Sequence, residues 1–242
     1  MNRLLKSPLV AALLLALLLV SPTIGHAAKS IALGVSLNGA GWEGDNGSGR
    51  SDFESDRGGQ FGLSFNFRND NFYTGLTLQG GDYTFDSDAP DQFTSNGVLA
   101  VSDTEVEHSD FDLLVGYYFW PQVSLFADLK VAHSDWKNNG YEQAFIGIGF
   151  GVSGFHVIND DWLLFGSLGF VNGDVDDDDS SGDHGDGDSS ALTFGAVYQI
   201  DKDNSINFGV KWRRYLLDFD DGNEQDYTLN GLFVGYNHVF RL

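Results

Sequence analysis

The chain has 242 residues and a formal net charge of −22, from 35 Asp and Glu against 13 Lys and Arg, and it contains no Cys. The absence of Cys excludes a disulfide scaffold and Cys-based metal or redox sites. The excess of acids argues against nucleic acid as a partner, because binding through phosphates needs basic side chains.

The first 27 residues have the order of a secretory signal peptide. A short basic start is followed by an apolar run over 9–20, and Gly25 and Ala27 place small residues at the −3 and −1 positions of a cleavage site. The alternative, a membrane anchor helix, needs about 20 apolar residues. We therefore predict cleavage after Ala27 and a single mature domain, residues 28–242.

After the signal peptide, apolar and polar residues alternate with a period of two, which predicts β-strands with one apolar face. Ten strands are predicted, with eight as the alternative, at approximately 30–38, 59–68, 72–83, 105–120, 122–133, 141–158, 162–173, 189–200, 204–216 and 227–241. Short turns alternate with long polar connectors at roughly 39–58, 84–104, 134–140, 174–188 and 217–226. This alternation is typical of an antiparallel up-and-down sheet with two unlike ends.

The polarity of the strands favours a transmembrane barrel over a secreted β-sandwich. The apolar positions hold bulky Leu, Phe, Val and Ile, and the polar positions hold mostly Gly, Ser, Thr, Asn and Gln. Bulky residues facing lipid and small residues facing a narrow lumen satisfy both environments. Aromatic residues beside the short turns, such as Phe72, Trp120 and Trp162, predict an interfacial girdle. The seventh strand, 162–173, is apolar on both faces, so its pattern leaves the inward side open.

The last strand alternates Leu232, Val234, Tyr236, His238 and Phe240 up to the terminal Leu242. With this strand, the whole mature chain resembles the Gram-negative outer-membrane β-barrel superfamily, although members usually end in Phe. The resemblance implies an all-β fold: an antiparallel up-and-down transmembrane β-barrel with long external loops and short periplasmic turns. It also implies location in the cell outer membrane, and as partners the outer-membrane lipid, the lipopolysaccharide and the barrel-assembly machinery.

Most of the negative charge falls on the long connectors, and the fourth is the most acidic. Its carboxylates are candidate ligands for Ca²⁺ or Mg²⁺, since hard cations prefer carboxylate oxygens; they are Asp174, Asp176, Asp177, Asp178, Asp179, Asp183, Asp186 and Asp188. The segment does not match an EF-hand, because Asp179 stands where that loop needs Gly. The alternative is a solvated surface loop. No other cofactor is expected.

A second set of charges falls on the predicted inward faces: Arg68, Asp110, Asp112, Asp128, Lys130, Lys211 and Arg213. The turn at Pro121 brings Asp112 close to Lys130. Because an unpaired buried charge is costly, we predict an internal network of ion pairs, with the lining of a narrow solute path as the alternative.

Three functions fit these features. The first, and the one we expect, is a small barrel with acidic surface loops that is structural or binds cations or a partner. The second is a narrow channel that prefers cations, since ten strands make a lumen too small for a general porin.

The third function is an outer-membrane hydrolase, although we expect no enzyme. An omptin-like protease would use acids and a His near the outer rim, and His108 and Asp110 are of those types. Asp86 and Asp88 are expected near the same rim. A lipid-modifying barrel would need His, Ser and an acid facing lipid. In His133-Ser134-Asp135, neighbouring side chains point to opposite faces.

Overall fold

The computed structural model describes residues 29–47, 52–86, 88–94, 97–138, 140–177, 184–220 and 222–242. The predicted signal peptide and three of the predicted cation ligands, Asp178, Asp179 and Asp183, lie outside these ranges. The strands are β1 (Lys29–Asp45), β2 (Asp52–Glu54), β3 (Arg57–Asn69), β4 (Phe72–Phe85), β5 (Gln92–Thr94), β6 (Gly97–Leu99), β7 (Thr104–Trp120), β8 (Val123–Trp136), β9 (Tyr141–Val157), β10 (Trp162–Asp177), β11 (His184–Gln199), β12 (Asn204–Phe219) and β13 (Glu224–Arg241). No helix in the described ranges is long and apolar enough to cross a membrane.

Ten of these strands close into one antiparallel barrel in the order β1, β3, β4 and then β7 to β13. The last strand returns to the first, with partners running from Ser30 opposite Arg241 to Asp45 opposite Asp226. Strand β2 pairs with the far end of β1, and β5 and β6 form a separate hairpin in the β4–β7 connection. The prediction of ten up-and-down strands is confirmed, and the alternative of eight is wrong.

The strands are longer than predicted at the end away from the short turns. Strand β1 continues to Asp45, β10 continues to Asp177, and β11 begins at His184. The predicted connectors 39–58 and 174–188 are therefore wrong in extent, since much of each is strand. The ladder continues because Gly and Asp residues can still pair through their backbones, as Asp174 does opposite Asp186.

The outward face carries a band of large apolar side chains. Leu37, Phe150 and Leu232 are 61%, 71% and 69% exposed. Such a contiguous apolar surface marks contact with lipid. At the short-turn end, Phe72 lies 4.8 Å from Tyr117, and Trp162 lies 5.1 Å from Tyr198, between ring centroids. These rings occupy the predicted girdle.

Burial along β10 assigns the face that the sequence left open. Leu168 and Phe170 are exposed, whereas Val171 and Val175 are buried. The Phe165 ring lies 6.3 Å from the Phe233 ring, on the inner side. The odd-numbered residues of this strand therefore face the lumen.

The main hydrophobic core lies inside the strand extensions beyond the lipid-facing band. We call it the outer core; it includes Trp42, Tyr83, Phe85, Val106, Trp136, Tyr141, Phe145, Val175, Tyr215, Leu217, Phe219 and Tyr227. Trp42 sits at its centre, with ring centroids 5.2 Å from Tyr83 and 5.0 Å from Tyr227. This half of the lumen is filled like the core of a soluble protein.

In the other half of the barrel, glycine makes room for large inward side chains. A Cβ on Gly116 would lie 2.2 Å from the Tyr73 ring, and one on Gly151 would lie 2.2 Å from the Phe126 ring. These contacts explain why small residues alternate with the lipid-facing ones.

Candidate functional site

A cap closes the outer mouth of the barrel; it consists of residues 88–94 and 97–103 of the β4–β7 connection. Phe93 is fully buried, with its ring 4.5 Å from that of Phe219. The Trp136 indole donates to the Pro90 carbonyl at 3.2 Å, and the Gln225 amide donates to the Asp91 carbonyl at 2.6 Å.

These contacts tie the cap to β8, β12 and β13. The Asn46 side chain, just past the end of β1, adds a bond by accepting from the backbone N–H of Asp91 at 2.9 Å. The cap is thus held from several sides of the mouth, directly above the outer core.

Beneath the outer core, four charged side chains form an ion-pair layer: Asp110, Asp112, Lys130 and Arg213. Lys130 Nζ lies 2.6 Å from Asp112 Oδ1 and 3.2 Å from Asp110 Oδ1. Arg213 reaches both carboxylates from β12, with Nη2 at 3.1 Å from Asp112 Oδ2 and Nη1 in contact with Asp110 Oδ2. The β7–β8 register sets Asp112 directly opposite Lys130.

Asp110 joins the ion-pair layer to the outer core. The Tyr215 hydroxyl donates to Asp110 Oδ1 at 2.6 Å, and His108 Nε2 lies 3.3 Å from Asp110 Oδ2. On its other side, His108 Nδ1 shares a hydrogen bond with Ser134 Oγ at 2.9 Å. Ser134 and Tyr215 are partners that the sequence pattern does not single out, although Tyr215 follows Arg213 on the same strand face.

The three other predicted lumen charges do not join the ion-pair layer. Arg68 is exposed at the short-turn end, where its Nε donates to the Asp70 carbonyl at 3.2 Å and its guanidinium lies 4.6 Å from the centre of the Tyr118 ring. Arg68 therefore lies too far from the ion-pair layer to join it. The alternation in the sequence predicts the face of this residue but not its height in the barrel. Asp128 and Lys211 do face the lumen near the layer, in a cavity described next.

Below the ion-pair layer, the lumen contains a cavity of about 160 Å³, here called the lower cavity. Its polar lining comprises Thr77, Asp112, Asp128, Lys130, Ser167, Ser189, Thr193, Lys211 and Arg213. Nearer the short turns, inward-facing Ser64 and Ser153 are half-buried and Asn66 is exposed. Other inward residues at this end are buried, such as Ser124. The short-turn end of the lumen is therefore partly exposed to solvent, whereas the outer end is filled.

The outward faces of the strand extensions carry two rows of carboxylates, one acid per strand, on strands that neighbour each other. The first row is Asp82, Glu107, Asp135 and Glu142, on β4, β7, β8 and β9. The second row is Asp174, Asp186, Asp218 and Glu224, on β10 to β13. Directly opposed residues have Cβ atoms about 4.5–5.5 Å apart. Each row therefore concentrates like charge along the rim.

The two rows differ in their neutralisation. In the first row, the Lys137 ammonium donates a hydrogen bond to Glu107 and lies 3.3 Å from Asp135. The hydrogen bond to Glu107 raises the pKa of Lys137, which favours its charged form. His133 Nε2 also lies 3.8 Å from Glu142 Oε2. In the second row, no basic side chain of the described residues forms an ion pair with any of the four carboxylates.

The predicted cation ligands do not converge on one point. Asp174 and Asp186 belong to the second row, and Asp188 accepts a hydrogen bond from Asn172 at 3.0 Å. Asp176 lies opposite His184, while Asp177 is buried on the inner face, where it accepts from Tyr141 at 3.2 Å. Within the ranges that the structure describes, no cluster of three or more His, Cys, Asp or Glu could hold a metal ion.

A groove of about 380 Å³ opens on the lipid-facing side of β3, β4, β7 and β8. Its outward lining includes Phe61, Leu63, Leu78, Gly80, Ser109, Phe111, Val131 and His133. Ser109 lies directly opposite His133. Ser134 instead faces inward, so the adjacent His133-Ser134-Asp135 residues do not form one site.

No protein-family model matches the sequence. No curated protein matches it either. Among solved structures, the chain is similar to the outer membrane protease OmpT from Escherichia coli, with a TM-score of 0.58 and 12% identity, over 91% of this chain and 99% of that one.

Two other solved barrels are less similar. The beta domain of the Bordetella autotransporter BrkA has a TM-score of 0.43 at 12% identity, over 88% of this chain and 100% of that one. The toluene transporter TodX of P. putida has a TM-score of 0.33 at 11% identity, over 92% and 91%. At these identities the likeness concerns the fold alone.

Proposed function

We propose that this Gram-negative outer-membrane β-barrel is a closed barrel that binds divalent cations on the outer face of its rim. The second row carries the proposal, because its four carboxylates stand side by side with no ion-pair partner among the described residues. Like charges directly opposite each other destabilise a sheet. No three of these carboxylates converge on one point, so Ca²⁺ or Mg²⁺ would bridge a pair of neighbouring carboxylates, with water as the remaining ligands, and relieve the repulsion between them.

The height of the second row supports a role at the membrane surface. Along β10, the outward residue Phe170 belongs to the lipid-facing band, and Asp174 stands four residues further out. That separation is about 13 Å along a strand. Cations bound there would lie near the phosphate groups of the outer leaflet, and could link the rim to lipopolysaccharide.

The filled outer half of the lumen supports a closed barrel over the narrow channel. Solutes would have to displace the cap, cross the outer core and then break the ion-pair layer. Single-channel recording on the purified protein should therefore show no steady conductance, and a stable open level would favour the channel instead.

The rim proposal is tested by comparing CaCl₂ with NaCl at matched ionic strength on folded protein in detergent. Monovalent salt only screens the repulsion between carboxylates, whereas a bound divalent ion adds stability by mass action. We expect a higher unfolding midpoint in CaCl₂, reduced in the Asp186→Asn variant. In the absence of Ca²⁺, Asp186→Lys should raise the free energy of unfolding by roughly 0.2–1 kcal/mol for each new opposite-charge pair.

The matched control is Glu105→Gln, which removes one outward carboxylate outside both rows. This variant should keep the full difference between the two salts. Equal midpoints in CaCl₂ and NaCl for the unmodified protein would contradict cation binding and leave only screening.

A second candidate function, a lipid-directed hydrolase, is favoured by one specific arrangement. Ser109, His133 and Glu142 lie on three adjacent strands on the lipid side, with His133 beside Glu142 and opposite Ser109. A hydroxyl, an imidazole and a carboxylate in this order are the parts of a nucleophilic triad. The apolar groove beside them would hold an acyl chain of an ester lipid.

In such a reaction, Ser109 Oγ attacks the ester carbonyl carbon while His133 accepts the hydroxyl proton. His133 then returns that proton to the departing alcohol, and water hydrolyses the acyl-enzyme to release a fatty acid. Glu142 would hold the imidazole and stabilise its charged form.

The test is fatty-acid release from labelled lipid A in mixed micelles. Ser109→Ala should abolish release, whereas Ser190→Ala, which removes another outward-facing hydroxyl on β11, should leave it unchanged. Absence of release by the unmodified protein would remove this candidate.

A further inference from the structure

Two ionisable side chains in the lumen, Asp128 and Lys211, do not take part in the ion-pair layer. In that layer, two carboxylates and two basic groups contact one another and balance in charge. Asp128 and Lys211 face the same lower cavity but form no ion pair with any described residue. One is an acid and the other a base, so the two side chains offer complementary chemistry to a ligand in this cavity.

The surroundings of both groups are poor in partners. Asp128 Oδ1 is buried without a hydrogen-bond partner among the described residues. The Lys211 ammonium donates to Gln79 Oε1 at 2.7 Å and lies 5.9 Å from the centre of the Phe233 ring. A neutral amide and a ring face compensate an ammonium only in part. Both groups therefore retain capacity for a charged partner.

We infer that the lower cavity binds a small amphoteric molecule of amino-acid size, with its ammonium group toward Asp128 and its acidic group toward Lys211. A lone cation or a lone anion would leave one of the two protein charges uncompensated. The hydroxyls of Thr77, Ser167 and Thr193 line the same space and supply neutral hydrogen bonds.

The route of entry follows from the two unlike ends of the lumen. The cap and the outer core close the outer end, while near the short turns Asn66 is exposed and Ser64 and Ser153 are half-buried. Short turns face the periplasm in barrels of this kind. The ligand therefore enters from the periplasm, and the site is independent of the rim.

The experiment is calorimetric titration of the folded full-length mature protein in detergent with L-alanine, propionate and ethylamine. Propionate lacks the ammonium group and ethylamine lacks the carboxylate, while all three have similar size. We expect saturable binding of alanine at one site, with each analogue at least tenfold weaker. Asp128→Asn should remove the advantage of alanine over propionate, and Lys211→Gln should remove its advantage over ethylamine.

Two further variants keep the test decisive if a neutral substitution impairs folding. Lys211→Arg and Asp128→Glu preserve the charges and should retain the preference for alanine, while Lys137→Gln on the rim should not affect it. Equal binding of alanine and propionate would show a simple anion site and overturn the inference. No saturable binding of alanine would show a cavity that holds only water, and would overturn it as well.

Discussion

Asp110→Ala should lower the free energy of unfolding by about 3–5 kcal/mol, because it leaves buried partners without their counter-charge. Asp110 is fully buried and contacts Lys130, Arg213, His108 and the Tyr215 hydroxyl. Removing its carboxylate breaks the ion-pair layer and also its connection to the outer core. The measurement is reversible urea unfolding in detergent, followed by tryptophan fluorescence.

Two controls calibrate this result. Asp112→Ala should cost less, about 1–3 kcal/mol, because Asp112 lacks the bonds to Tyr215 and His108. Glu224→Gln on the exposed rim should not destabilise the protein. If Asp110→Ala left the unfolding midpoint unchanged, the layer would not be buried as the structure places it.

Phe93→Ala should release the cap from the barrel mouth. Phe93 is the fully buried anchor of the cap, packed on Phe219, and truncating a buried Phe costs about 3–5 kcal/mol. The barrel strands are held by their own backbone hydrogen bonds. We therefore expect the lost packing energy to appear as local opening of the cap and not as global unfolding. Proteinase K should cut within 88–103 at least tenfold faster, while the barrel keeps its heat-modifiable migration on gels.

The control for the cap is Val98→Ala, which shortens a half-buried side chain of the same segment and should change cleavage little. Rapid cleavage of the unmodified cap, at the rate of the Phe93→Ala variant, would show that Phe93 does not anchor it. Faster cleavage of the short turns at the other end of the barrel would instead indicate global unfolding.

The Asp112–Lys130 contact could be predicted from sequence because one tight turn joins their strands and fixes the register. Arg213 could be placed on the inward face, but its contact with Asp110 spans the lumen and depends on where the ring closes. Arg68 shows the limit of the same reasoning. Its face follows from alternation, whereas its height follows from the stagger of every strand around the barrel.

The acidic rows escaped prediction because the apolar alternation reverses beyond the lipid-facing band. In 171–177, Val171, Val175 and Asp177 face inward, while Asp174 and Asp176 take outward positions that lipid-facing residues occupy further down the strand. Where the outward residues of a strand change from apolar to acidic while the period of two continues, the strand extends beyond the membrane. The predicted connector at 174–188 rests on the loss of apolar outward residues, which marks the end of the lipid-facing band and not the end of the strand.

The outer core also constrains how the chain can assemble. Trp42, near the start of the barrel, packs on Tyr227 of the last strand, and on Tyr83 from β4. Contacts between such distant parts of a chain form slowly and leave aromatic surface open to aggregation until they form. An open sheet lacking either terminal strand would have hydrogen-bonded walls but no completed core. The step that closes the ring therefore also buries the aromatic surface, which makes assembly an all-or-none event and commits the chain to one strand order.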